Sequence, residues 1–309
     1  MNTALHMLWN PSEGIQIGNF TLRFYSLMFV IAFGLGYYLS KKIYDDENRS
    51  QDELDKLFIY TFVATLLGAR LGHVFFYDWD YYKDNLGEIL LPFRFSPEFQ
   101  FTGFTGLASH GAALGVIVAM VYYSKKVLKD KSLLWVLDRI TLPVTIGGMF
   151  VRFGNFFNSE IIGHETTAST GVLFLRDAFS PRDAVNLTGI NDVNNAYDAI
   201  ATNSKFAELL AQVPAKHPTQ LYEAAGYFIL FIALYFIYWK TDTKKYVGKL
   251  FGIFLVFLWG IRFVVEYVKE SQGGFEDTLG LLTTGQWLSI PFIIIGLYLW
   301  ITAKKNKEI

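Results

Sequence analysis

The sequence predicts an all-α polytopic membrane protein: seven spanning helices forming one integral domain over residues 1–309. Three observations predict it. Only 18% of the residues are charged and 52% are hydrophobic, where a soluble domain carries about a quarter charged residues. The apolar residues gather into seven runs, each near the roughly 20 residues a span needs. Lysine and arginine then fall almost wholly on one side of those runs.

The runs lie at about 22–40, 57–76, 106–123, 133–151, 221–239, 249–267 and 286–302. Lys41, Lys42, Arg49 and Lys56 follow the first; Lys125, Lys126, Lys129 and Lys131 follow the third; Lys240, Lys244, Lys245 and Lys249 follow the fifth; Lys304, Lys305 and Lys307 close the chain. That makes fifteen basic residues, against Lys83, Arg94 and Lys269 in the opposite short segments. Basic loops stay cytoplasmic, so the N-terminus is expected outside and the C-terminus in the cytoplasm. No removable signal peptide is expected, because no basic stretch precedes the first apolar run.

Residues 1–20 and 83–104 mix apolar with polar side chains and are expected at the outer interface. Residues 164–219 hold Asn and Asp clusters and a helical pattern near Lys205–Val213. They read as a small external insertion between spans four and five. Gly111 with Gly115, and the adjacent Gly147 and Gly148, are small enough to let helices approach closely.

A net charge of −1 gives no electrostatic footprint for nucleic acid. With no cysteine, disulfides, thiolate metal sites and a cysteine nucleophile are excluded. His6, His73, His164 and His217 show no metal-ligand spacing, so neither a metal nor a cofactor is expected.

Ionisable residues inside spans are costly and mark function by default. Counted along each helix, Arg70, His110, Arg152, Asn155, Arg262 and Glu266 all fall toward the outer face. Tyr25, Gln220, Tyr222, Glu223 and Gln286 sit at the outer starts of their spans. Asp138 and Arg139, near the inner end of span four, are the main exception. This clustering predicts a site among the helices, reached from the outer leaflet. Arg262 and Glu266 stand at i,i+4 and are expected to pair. Arg152 meets no carboxylate at helical spacing before Glu160, and its planar fork suits a phosphate. Three arginines face three carboxylates, so charge alone leaves a small-anion carrier, or another lipid-head-group transferase, open.

The motifs narrow this. Val151-Arg152-Phe153-Gly154-Asn155-Phe156-Phe157-Asn158-Ser159-Glu160-Ile161-Ile162-Gly163 resembles the signature of bacterial prolipoprotein diacylglyceryl transferases. Gly68-Ala69-Arg70-Leu71-Gly72, Ser109-His110-Gly111-Ala112-Ala113-Leu114-Gly115 and His217-Pro218-Thr219-Gln220-Leu221-Tyr222-Glu223 resemble further motifs of that family. So do Arg262-Phe263-Val264-Val265-Glu266 and Leu282-Thr283-Thr284-Gly285-Gln286, in the family's order. Four departures stand out: Ala112 and Ser159 replace usual glycines, and His164 and Lys269 stand where arginine is common.

The resemblance implies a reaction in the bacterial inner membrane. Diacylglyceryl passes from phosphatidylglycerol, a membrane lipid, to the lipobox cysteine thiol of a prolipoprotein signal peptide, and glycerol phosphate is released. It implies functional positions at Tyr25, His110, Arg152, Asn155, Glu160, Gly163, Arg262 and Glu266. Because the nucleophile belongs to the substrate, a chain without cysteine can still form a thioether. A thiol of pKa ~8.5 attacks as thiolate; His110 is the leading base candidate, and an Arg/carboxylate pair is the alternative. Arg152 and Arg262 are expected to stabilise the departing phosphate, Glu266 to orient Arg262, and Glu160 or Asn155 to orient Arg152 or the head group. Arg70, Gln220, Tyr222, Glu223 and Gln286 are expected to bind substrate.

Overall fold

A computed structural model describes residues 6–18, 20–91, 93–95, 98–101, 106–271 and 280–305. Leu5, Lys307 and parts of 83–104 therefore lie outside the described residues. Seven helices of 17 residues or more occur among those described. They are α1 Phe24–Asp46, α2 Gln51–Phe76, α3 Ser109–Lys126, α4 Leu133–Phe157, α5 Thr219–Lys240, α6 Lys249–Val265 and α7 Thr284–Thr302. Each falls on one of the seven apolar runs. Five of them, α1, α2, α4, α5 and α7, are long and apolar enough to cross a membrane. The other two fall short: α3 carries His110 and two terminal lysines in its 18 residues, and α6 has 17.

The helix starts are written locally. Ser50 caps α2 by accepting from the Glu53 amide, while the Glu53 carboxylate accepts from the Ser50 amide. Thr283 and Gln286 form the same reciprocal box at α7.

The chain forms two compact units, Tyr37–Ile140 and Met1–Gly36 with Thr141–Ile309. In the first, α2 and α3 touch backbone to backbone. A Cβ on Gly68 would fall 2.5 Å from the Gly111 carbonyl oxygen, and one on Gly115 would fall 2.5 Å from that of Ala64. The glycine spacing is thus a packing seam, as the Gly111/Gly115 pair predicts. The expected interfacial stretch 83–104 contains a 3₁₀ turn at Leu86–Glu88 and a small hairpin pairing Phe93–Arg94 with Gln100–Phe101.

The second unit holds α5, α6, α7 and the chain before α1. Residues before α1 form β-structure: Met7–Trp9 pairs parallel with Val172–Phe174, which pairs antiparallel with Ala215–Lys216, and Gly14–Ile17 hairpins with Phe20–Arg23. Strand partners more than 150 residues away satisfy the backbone of Met7–Trp9. Residues 164–219 pack short helices, Pro181–Thr188 and Val193–Thr202 among them, around a core of Leu175, Ala184, Ala196, Tyr197, Ile200 and Val213. The helical pattern expected near Lys205–Val213 is a 3₁₀ turn at Ser204–Phe206 followed by Ala207–Leu210.

Candidate active site

Arg152 and Asn155 lie three residues apart near the end of α4, on one helix face. The Arg152 Nη1 donates to Asn155 Oδ1 (3.0 Å), and Asn155 Nδ2 donates to Glu160 Oε1 (2.7 Å). On its other edge, Arg152 Nε pairs with Glu223 of α5. The Glu223 side chain is 1% exposed, so this ion pair is held in a dry interior. Removing one member of such a pair strands the other. The Tyr25 ring lies against Gly154, the residue before Asn155.

Glu160 sits in a strained turn. Ser159 and Ile161 on either side both have left-handed backbones, with φ of 52° and 59°. For a β-branched residue that is a rare state. The turn persists because its polar groups are tied down. The Glu160 amide donates to the Asn155 carbonyl (3.0 Å), Gln220 Nε2 to the Glu160 carbonyl (2.6 Å), and Thr219 Oγ1 to the Ile161 carbonyl (2.6 Å). Gly163 follows where three backbone segments converge. Its amide donates to the His217 carbonyl, and a Cβ there would fall 2.3 Å from the Val268 carbonyl oxygen. The turn also lines a polar cavity of ≈ 180 Å³ with Asp177, Glu270 and Ser271.

The α6–α7 junction completes this side. Arg262 lies over the Trp259 ring at 5.1 Å, and its buried Nε has no hydrogen-bond partner among the described residues. The expected Arg262–Glu266 pair is absent from the ion pairs of the described residues. Glu266 instead faces the buried Lys269 (3.2 Å) and the first turn of α7, where Gly285 abuts its carboxyl. The reason is that α6 ends at Val265, and the turn that follows brings Lys269 back over Glu266. Gln286 Nε2 donates to the Phe263 carbonyl (3.4 Å), joining α7 to α6.

The Tyr222 hydroxyl hydrogen-bonds His217 Nδ1 and Thr170 Oγ1, both at 3.1 Å. At the start of α5 it therefore fastens the segment that precedes the helix.

In the other unit, Arg70 is buried, and its Nε and Nη2 donate to the carbonyls of Ile89 and Glu88, both at 2.7 Å. Its guanidinium fastens the segment after α2. His110 is exposed, with the rings of Phe76 and Tyr77 at 5.3 and 5.6 Å. In the first half of α4 there is a structural knot: Arg139 pairs with Glu47, neighbours Asp138 and stacks on Trp135.

A family profile described as prolipoprotein diacylglyceryl transferase matches residues 13–302. This chain belongs to the prolipoprotein diacylglyceryl transferase family. It is 36% identical over 310 residues to the phosphatidylglycerol–prolipoprotein diacylglyceryl transferase of Chloroherpeton thalassium, covering 100% of this chain and 98% of that one. Proteins of the same description are 35% identical in Tolumonas auensis (97% and 99% covered) and in Bacteroides fragilis (100% and 99%).

Within this diacylglyceryl transferase, two of the departures gain a physical reading. Ser159 has a positive φ, which accounts for glycine in the family's motif at that position. Lys269, standing where the family usually has arginine, is buried on Glu266 and bridges by its backbone to Gly163. The unit also carries unpartnered buried polar atoms: Gln220 Oε1, Glu223 Oε1 and Ser159 Oγ, besides Arg262 Nε. Such orphans are rare in a finished interior and mark where a ligand would add partners.

Sequence reasoning missed Tyr227, Thr219 and Lys269 as members of this constellation. The signal for Tyr227 was present: it stands four residues after Glu223 on α5, hence on the same face. Tyr227 is buried, and its ring faces Gly148 of α4, one turn before Arg152.

Proposed function

We propose that this chain is a seven-span enzyme of the bacterial inner membrane, with its N-terminus outside. It transfers the diacylglyceryl group of phosphatidylglycerol to the lipobox cysteine of a prolipoprotein signal peptide. One observation carries the reading: within one unit, Arg152 is held by Glu223 and Asn155 while the buried Arg262 Nε has no hydrogen-bond partner among the described residues. Arg152 has five N–H donors. Glu223 and Asn155 take two of them among the described residues, leaving three for a phosphate. Arg262 has no carboxylate partner among the described residues, so its charge is available to an anion.

In this reading α3 and α6 also cross the membrane, and residues 164–219 form an external insertion. The base takes the cysteine proton, and the thiolate attacks the glycerol carbon bearing the phosphate ester. A C–S bond forms as the C–O bond breaks, and the electron pair leaves on the phosphate oxygen. Arg152 and Arg262 stabilise that developing charge in a water-poor site. His110 is the base. Asn155, Glu160 and Tyr25 fix the Arg152 side, while Glu266, Lys269 and Gln286 shape the Arg262 side. Gly163, Gln220, Tyr222 and Glu223 hold the frame, and Arg70 serves by positioning the segment after α2.

The test incubates the purified protein in phosphatidylglycerol vesicles labelled in the acyl chains with a lipobox peptide carrying Cys or Ser. Label is expected on the Cys peptide alone, with glycerol phosphate released in equal amount. Label on neither peptide, or transport of phosphate without transfer, overturns the reading.

A further inference from the structure

The seam between α6 and α7 carries a stack of three groups. A Cβ on Gly252 of α6 would fall 2.7 Å from the Gly296 carbonyl oxygen, and one on Gly296 would fall 2.8 Å from that of Gly252, so the two helices touch backbone to backbone. Trp259 stands about two turns after Gly252 and Phe292 about one turn before Gly296, which sets both rings on that seam. The rings lie parallel, with centroids 4.3 Å apart and planes 6° from each other. Three residues on from Trp259, the Arg262 guanidinium carbon lies 5.1 Å from the centroid of the same indole. A parallel ring at that distance covers one face of the indole and leaves the other for the guanidinium.

This contact holds a cation without neutralising it. A carboxylate partner, as Glu223 is to Arg152, takes guanidinium N–H groups and offsets the positive charge. An aromatic ring attracts the cation through its negative face and leaves the charge in place. The five N–H donors of a guanidinium lie in its plane, so a group held over a ring keeps that edge for another ligand. Arg262 fits this arrangement: it has no carboxylate partner among the described residues, and its buried Nε has no hydrogen-bond partner.

We propose that Trp259 is a positioning residue of the phosphate site: backed by Phe292, its indole fixes the Arg262 guanidinium while leaving the charge and the N–H edge to the departing phosphate. The proposal rests on the transferase reading and adds to it a residue that acts through Arg262. Its test replaces Trp259 in the full-length protein, by site-specific incorporation, with tryptophans carrying an increasing number of ring fluorines. Fluorine drains the negative face of the ring and leaves its shape nearly unchanged, so the packing on Phe292 is kept. Acyl-label transfer to the lipobox peptide is read as kcat and KM, with thermal midpoints measured in parallel. Loss of a cation–π contact predicts a fall in kcat that deepens with each fluorine and reaches about 3- to 30-fold, at nearly constant KM and midpoint. A kcat that ignores fluorination overturns the proposal, as does a change confined to KM, which would mean that the stack serves ground-state binding alone. A fall in kcat matched by a falling midpoint also overturns it, since the indole would then serve stability. Wild-type protein without transfer activity would strike the transferase reading instead.

Discussion

The Glu266 carboxyl and the α-carbon of Gly285 are so close that a Cβ on Gly285 would fall 2.3 Å from Glu266 Oε1. The carboxylate therefore rests on the first turn of α7, the positive end of a helix, with Lys269 at 3.2 Å on its other side. Gly285→Ala should push Glu266 off this seat. Displacing a site group by about 1 Å can cost on the order of 10²-fold in rate. The expected outcome is that loss in kcat, read by acyl-label transfer, with a nearly unchanged melting midpoint.

Glu223 and Arg152 make a second test, this time of stability. Glu223→Gln leaves the Arg152 charge in a dry interior. Breaking a buried pair from one side costs about 3–5 kcal/mol. A denaturation series in detergent should show a loss of that order. A change below about 1 kcal/mol would place the pair in the range of exposed ones.

The left-handed backbone at Ser159 predicts opposite outcomes for two substitutions. Ser159→Gly relieves a strain of about 1 kcal/mol and should raise the melting midpoint by a few degrees. Ser159→Val places a β-branched side chain in the same conformation and should lower it.

Lys216 bonds to Asp177 and Glu270, both at 2.8 Å. Burial pulls the Lys216 ammonium down, but the two carboxylates outweigh it and hold its pKa above the ordinary lysine value. A cation raised this way adds stability fully below the unfolded pKa of about 10.4 and loses it as pH climbs through the folded value. Lys216→Met should therefore melt below the parent at pH 7, and the gap should close only in strongly alkaline buffer.

His110 tests the proton path. His110→Gln should lower turnover about 10²-fold at neutral pH, with binding of phosphatidylglycerol retained. Near-normal turnover would move the base elsewhere.

What the sequence settled by itself was local. Seven apolar runs became seven helices, because a helix closes its own backbone hydrogen bonds and needs only composition and caps, such as Ser50 with Glu53. The motif residues Arg152, Asn155, Glu160 and Arg262 were legible as chemistry for the same reason: residue type travels with the chain. Their partners did not. Nothing local pairs Arg152 with Glu223 rather than Glu160, or Glu266 with Lys269 and Gly285 rather than Arg262. Those choices belong to the tertiary structure, which decides where helices end and which faces meet. A buried charge takes the partner that packing brings within reach, at whatever distance along the sequence. Tyr227 follows the same rule: on the sequence it is one more aromatic of an apolar helix, and only the approach of α4 sets its ring against Gly148.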